Sequence, residues 1–277
     1  MPNQSNLTDT QASLLSAEQP KQAPIGIMAA LEQEIAAILK SMEHQVTIRT
    51  VADRRYHLAE RNGQQYVIVL SRIGKVAAAA TVTTLINVFG VQSVLFTGLA
   101  GGIHADVKVG DIVIARSVYQ YDLDASPLFP KYSVPLLNKT FFDTDEALND
   151  KIAKACNDYL AQDFATAFEG NKRPRFFQRD IPKVHQGLIG SGDVFVNALE
   201  KQNQIAEQMP STLCVEMEGA AVAQVCYEYA IPFAIFRIIS DRADSKAELD
   251  FNEFLNEISP HYGSAILTRL LDQLASS

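Results

Sequence analysis

Glu216 and Glu218 flank a single methionine in Val215-Glu216-Met217-Glu218-Gly219-Ala220-Ala221, and a third carboxylate, Asp241, follows the apolar run ending Arg237-Ile238-Ile239-Ser240. Ionised side chains are disfavoured beside apolar surroundings, so acids at the edges of buried segments have shifted proton affinities and suit acid–base work. The three acids are therefore read as part of an active site. Their spacing also admits structural roles, with Glu218 a first-turn helix acid and Ser240 or Asp241 an N-cap.

The elements that must position these acids are legible around them. Residues 231–239 are almost continuously apolar and rich in Ile and Phe, which suits a strand over 233–239 covered on both faces of a parallel sheet. Asp241 then sits just past that strand's carboxyl end, where open α/β sheets bind ligands. Residues 219–229 have helical composition, and a helix start near Met217 puts Glu216 and Glu218 at the favourable end of its dipole. Further strands are expected at 25–29, 66–71, 93–97, 111–115 and 187–189, with helices at 32–42 and 76–88 and a long one from about 251 toward 274. The alternation predicts an α/β fold: a single domain with a central twisted sheet, mixed but mostly parallel, flanked by helices. That domain spans 25–277. Residues 1–24, rich in Gln, Asn, Ser, Thr and Pro, read as a disordered extension without the charged start and apolar core of a secretory signal. Residues 138–179 are the least regular stretch, and 164–180 read as an exposed insertion.

Composition narrows the class of partner. With 47% hydrophobic residues among 277, the chain can bury one large core. A net charge of −8 offers no basic surface for nucleic acid, and no apolar run approaches a membrane span. A small molecule is the expected partner. Cys156, Cys214 and Cys226 lie far apart without metal-ligand spacing and read as reduced core thiols of a cytoplasmic protein. The five histidines show no paired spacing for a metal, and nothing calls for a cofactor. Gly98-Leu99-Ala100-Gly101-Gly102 follows a predicted strand, where glycines either admit a ligand close to the backbone or simply make a tight turn. It matches neither the dinucleotide fingerprint nor the P-loop. Ser71-Arg72-Ile73-Gly74-Lys75 ends another strand and starts a helix whose free amides can hold an anion.

Taken in order, several motifs carry a resemblance. They are Ile25-Gly26-Ile27-Met28-Ala29-Ala30-Leu31-Glu32-Gln33-Glu34, Ile73-Gly74-Lys75-Val76-Ala77-Ala78, Thr97-Gly98-Leu99-Ala100-Gly101-Gly102 and Lys108-Val109-Gly110-Asp111-Ile112-Val113. Ser191-Gly192-Asp193-Val194-Phe195-Val196-Asn197, Val215-Glu216-Met217-Glu218 and Ser240-Asp241 complete the series. From residue 25 to about 274 the chain resembles the 5′-methylthioadenosine/S-adenosylhomocysteine nucleosidases of the nucleoside phosphorylase superfamily. The resemblance implies hydrolysis of the N-glycosidic bond between adenine and a 5′-thio-substituted ribose, through a transition state with oxocarbenium character, in methionine salvage.

The same resemblance assigns roles. Asp241 matches the general acid that protonates the purine at N7, with Ser240 positioning its carboxyl, and Glu34 matches the water-activating carboxylate. Glu218 matches the ligand of the ribose hydroxyls, Met217 packs on ribose and base, Phe195 stacks on adenine, and Val196 offers backbone groups to the purine edge. Arg237 and Glu216 hold the carboxylates in register. Leu99 stands where the family often has a small or hydroxyl residue, and Leu128 and Phe129 are candidate pocket residues for the 5′ substituent at a homodimer contact. No metal or cofactor is implied. Read without the resemblance, Glu34 is rather a solvated helix acid, Met217 and Phe195 ordinary core, and Arg237–Glu216 a structural ion pair. Arg72 keeps phosphorolysis open, although Glu34 would repel a phosphate. Two further readings stay open: a nucleosidase acting on 6-amino-6-deoxyfutalosine, and a nucleoside sensor without catalytic activity.

Overall fold

Strands and helices, including runs of consecutive strands, build the structure, a computed structural model that describes residues 23–30, 32–40, 42, 46–168, 177, 181–244 and 246–275. In chain order the elements are β1 (Ile25–Ala29), α1 (Glu32–Lys40), β2 (Thr47–Val51), β3 (Arg54–Arg61), β4 (Gln64–Leu70), α2 (Lys75–Phe89), β5 (Ser93–Phe96), β6 (Leu99–Gly102), β7 (Ile112–Gln120) and β8 (Phe142–Asp143). Then follow α3 (Glu146–Gln162), α4 (Phe164–Ala167), β9 (Val184–Ser191), α5 (Leu199–Gln208), β10 (Thr212–Glu216), α6 (Gly219–Glu228), β11 (Phe233–Asp241), α7 (Ala247–Glu257) and α8 (Ser259–Ala275). The result is one α/β domain with a mixed sheet flanked by helices.

The strands lie in the order β2-β3-β4-β1-β5-β11-β6-β10-β9-β7-β8, and β11 also pairs with β7. β11 is thus shared. Its first residues run parallel to β5, its last run parallel to β6, and Phe236 to Ile238 pair antiparallel with β7. The half-sheet β6-β10-β9-β7 consequently curls back onto β11. All nine residues of β11 are buried, Arg237 included. The short strand β6 links the two chemically important ends, because Gly101 is the register partner of both Val215 on β10 and Asp241 on β11.

Helices cover both faces. On one, α8 presents Tyr262, Ile266, Leu270 and Leu274 at four-residue spacing to a core shared with α1 and α3, the stripe an amphipathic helix needs. Each such side chain stabilises the fold by about 1.5–3 kcal/mol when fully buried. On the other face α2 and α6 pack through small residues, including Ala78, Ala220 and Ala223.

Several expectations are corrected. The stretch 138–179 contains α3, a seventeen-residue helix whose N-cap Asp145 accepts the Leu148 N–H at 2.8 Å. Ile152, Ala155, Cys156 and Tyr159 form its buried face. The supposed exposed insertion buries Phe164, Phe168 and Phe177 against Tyr159 and Tyr262; its residues 169–176 and 178–180 lie outside the described residues. The single long C-terminal helix is two helices, since Pro260 lacks the N–H needed to continue α7 into α8. The glycine-rich Leu99–Gly102 is a strand rather than a tight turn. Of the expected extension 1–24, only 23 and 24 are described. The Ala23 carbonyl accepts from Gln64 Nε2 at 3.1 Å and the Pro24 carbonyl from the Gln92 N–H at 3.0 Å, tying the chain down just ahead of β1.

Candidate active site

A cavity of about 350 Å³ opens where the ends of β10 and β11 meet β6. Ser240 and Asp241 enter it from β11, and Glu216, Met217 and Glu218 from the junction of β10 and α6. Gly98 to Gly101 form one wall along β6, Val194 to Val196 come from the loop after β9, and Phe251 reaches in from α7. The walls are mainly apolar, with a few polar groups converging, as small-molecule sites require.

Glu216 is the anchor beneath the cavity floor. Its carboxylate meets Arg237 Nη2 at 2.6 Å, and both side chains are 2% exposed. The backbone N–H of Gly219 reaches the same carboxylate at 2.8 Å and that of Glu218 at 3.2 Å, so Glu216 caps α6 from the preceding strand. Ser191 Oγ donates to Glu216 Oε1 and in turn accepts the Ala220 N–H at 2.7 Å. Arg237 is further held by the carbonyls of Phe96 and Phe236, both at 3.1 Å, and lies 4.1 Å over the Phe96 ring. A buried pair this fully bonded is rigid, and removing either partner strands the other charge.

Glu218 points into the cavity at the N-terminus of α6 and accepts the Gly74 N–H at 2.8 Å. Burial, together with the neighbouring Glu216 charge, raises its pKa to about 7. Asp241 is 2% exposed. Its carboxyl accepts the Ala243 N–H at 2.8 Å and the Ser240 hydroxyl at 2.8 Å. Burial outweighs these two hydrogen bonds and raises its pKa to about 6. Glycines in and just before β6 make room for protein groups: a Cβ on Gly101 would lie 2.8 Å from Asp241 Oδ1, and one on Gly98 3.4 Å from the Arg237 guanidinium.

Of the residues named from the sequence, Asp241, Ser240, Glu216, Met217, Glu218, Arg237, Phe195, Val196 and Leu99 line the cavity. Leu128 and Phe129 are not among its lining residues, and Leu128 is 84% exposed. Glu34 falls in the first turn of α1, just after Ala30, which lines the cavity; its side chain lies outside the described residues. Arg72 turns away, its guanidinium bonded to the Asp53 carbonyl at 2.6 Å and carboxylate at 3.0 Å. The anion-holding amides expected at the start of α2 are already occupied by carboxylates of the chain itself. Gly74 N–H binds Glu218, and Lys75 N–H binds Asp193 Oδ1 at 2.8 Å.

Residues 24–271 match the phosphorylase superfamily model. The 5′-methylthioadenosine/S-adenosylhomocysteine nucleosidase of Haemophilus influenzae (strain PittEE) is 36% identical over 251 residues, covering 90% of this chain and 99% of that protein. The chain belongs to this nucleosidase family within the phosphorylase superfamily. The aminodeoxyfutalosine nucleosidase of Helicobacter pylori (strain J99 / ATCC 700824) is 32% identical over 250 residues, covering 90% of this chain and 99% of that protein. The crystal structure of the nucleosidase from Colwellia psychrerythraea 34H in complex with adenine matches with a TM-score of 0.78 at 32% identity, covering 91% of this chain and 96% of that one.

In this nucleosidase-family chain the site also draws on residues that sequence reasoning passed over. Ile73, Val194 and Phe251 line the cavity, and Phe251 meets Phe195 edge to face with centroids 5.8 Å apart. Ser191 holds Glu216. Ile73, Ser191 and Val194 lie within motifs that carry the resemblance but were given no role of their own; Phe251 had no local signal beyond lying in a helix. Among the described residues no cluster of His, Cys, Asp and Glu suited to a metal ion is present.

Proposed function

We propose that this protein hydrolyses the N-glycosidic bond of 5′-methylthioadenosine and S-adenosylhomocysteine, releasing adenine and the 5-thio-substituted ribose. The observation that carries the reading is Asp241, a buried carboxyl with its pKa raised to about 6, across the same cavity from the Glu218 carboxylate. Asp241 gives its proton to N7 as the electrons of the C1′–N9 bond pass to the purine. The sugar carbon becomes cationic, and Glu218 accepts the ribose hydroxyls while its charge opposes the developing positive charge. Water adds to C1′ and passes its proton to Glu34. Phe195 and Met217 pack on base and ribose, Val196 offers its backbone to the purine edge, and Leu99 closes the wall. Glu216 and Arg237 hold Glu218 in register through the start of α6.

Hydrolysis is favoured over phosphorolysis because the amides of Gly74 and Lys75 are filled by carboxylates and Arg72 is held by Asp53. The deciding assay is chromatographic detection of adenine from methylthioadenosine, with and without phosphate. Adenine and free methylthioribose at a phosphate-independent rate uphold the reading; strict phosphate dependence, or no adenine, overturns it. Glu34→Gln should slow the hydrolytic step, and an unchanged rate would remove Glu34 from the water role. Because a relative in Helicobacter pylori carries the aminodeoxyfutalosine name, 6-amino-6-deoxyfutalosine belongs in the same assay as a competing substrate.

The reading extends to a cytoplasmic homodimer active in methionine salvage, with Leu128 and Phe129 forming the 5′-substituent pocket across the dimer contact. The exposure of Leu128 supports the dimer, and the free buried thiols of Cys156, Cys214 and Cys226 suit a reducing compartment. The acidic surface implied by a net charge of −8 suits no nucleic-acid partner.

A further inference from the structure

The loop that carries Phe195 and Val196 into the cavity has neither helix nor strand to hold it between the end of β9 and the start of α5. A closed circuit of hydrogen bonds does so instead. Asp193 Oδ1 accepts the Lys75 N–H at 2.8 Å, the Asp193 N–H donates to Asp122 Oδ2 at 2.9 Å, and Asp122 Oδ1 meets Lys75 Nζ at 2.6 Å. Lys75 Nζ also reaches Gln120 Oε1 at 3.1 Å, and the Tyr121 hydroxyl donates to the Val194 carbonyl at 3.0 Å. The loop is therefore pinned on two successive residues immediately before Phe195.

The circuit shares its helix end with the ribose carboxylate. Gly74 and Lys75 are consecutive, and their N–H groups divide between Glu218 and Asp193. Gly74 has φ +97, and a Cβ there would come within 3.2 Å of Asp193 Oδ1. Such a backbone conformation favours glycine, and it turns the two amides toward two different carboxylates. One rigid element thus fixes the distance between the group proposed to hold the ribose and the loop proposed to hold the purine.

We propose that Asp193 is a positioning residue for nucleoside recognition: through the Lys75 amide and Asp122 it sets the purine-facing loop at a fixed distance from Glu218. This rests on the nucleosidase reading of the cavity. Asp193 does not touch the substrate; its effect passes through Phe195 and Val196, so it acts on binding of the base and leaves the Asp241 proton transfer intact.

The test is steady-state kinetics with methylthioadenosine together with calorimetric titration of adenine, on the full chain. Asp193→Ala should raise KM and weaken adenine binding by about tenfold each, the loss of one charge-assisted hydrogen bond, while kcat stays within about threefold. Asp193→Asn keeps an oxygen for the Lys75 N–H and should restore most of both losses. KM and adenine affinity within about twofold of the parent in Asp193→Ala would overturn the proposal. So would a fall in kcat alone, or no rescue by Asp193→Asn. If circular dichroism shows that Asp193→Ala does not fold, Asp122→Ala tests the outer half of the circuit. It should weaken adenine binding by about threefold, and unchanged binding would overturn the proposal. A parent protein that releases no adenine would instead sink the nucleosidase reading, and the adenine titration would still report on the circuit.

Discussion

Asp241 carries a conflict between stability and chemistry at a single side chain. Its pKa rises from 3.8 to about 6 on folding because burial disfavours the charge. The native protein therefore binds that proton more tightly than the unfolded chain. This group's contribution to stability falls as pH climbs from about 3.8 to about 6 and is level above, a loss of about 3 kcal/mol at most. Asp241→Asn removes the titration and leaves a group able to bond the Ala243 N–H and the Ser240 hydroxyl. The variant should lose turnover yet gain about 1–3 kcal/mol over the parent at pH 8, with the gain disappearing near pH 4. Denaturation at both pH values checks this, and an equal difference at the two would refute it. Turnover imposes a second pH dependence. In the proposed mechanism Asp241 holds its proton, which fails above about 6, and Glu218 is ionised, which fails below about 7. The kcat/KM profile should be a bell peaking between these values, because only a minority of the free enzyme has both groups in the required form. A profile flat from pH 5 to 8 would remove this pair from the mechanism.

At the scale of elements, β6 decides how the acid is presented. Four residues long and glycine-rich, it lies between β10 and β11 and lets the Asp241 carboxyl rest against its backbone. Gly101→Ala would set a Cβ 2.8 Å from Asp241 Oδ1 and 3.0 Å from Ala243 Cβ, so the strand or the carboxyl must shift. We expect about a hundredfold fall in kcat, since displacement of a reacting group by about 1 Å has that effect, with adenine binding changed far less. Parental kcat in this variant would show that β6 tolerates the side chain and does not set the position of the acid. The glycines around β6 are plain in the sequence. Their purpose is not, because the groups that approach them come from β11, more than a hundred residues later, and only strand pairing brings the two together.

For the molecule as a whole, the homodimer proposed above would cover the exposed Leu128. Light scattering should give twice the 30.4 kDa chain mass. Leu128→Asp should shift the protein toward monomer and raise KM for methylthioadenosine, whereas an unchanged mass and KM would place the dimer contact elsewhere. The sequence by itself determined the α/β class, the strands β1, β4, β5, β7, β9 and β11, and that Glu216, Glu218 and Asp241 stand at the ends of apolar segments, whereas β2, β3, β6, β8 and β10 were not read as strands. Those properties follow from local apolar periodicity and from residue types that physical chemistry confines to a few roles. It left α3 and the aromatic packing of Phe164, Phe168 and Phe177 unread, because charged residues on α3 mask its buried face and the aromatic partners are distant in sequence. Only the tertiary structure decided that Glu216 is sealed by Arg237 and Ser191, that Arg72 turns to Asp53, and that the amides of α2 are filled by Glu218 and Asp193. Each of these joins groups on different elements, and the curling of β6-β10-β9-β7 back onto β11 determines which buried charges meet a partner.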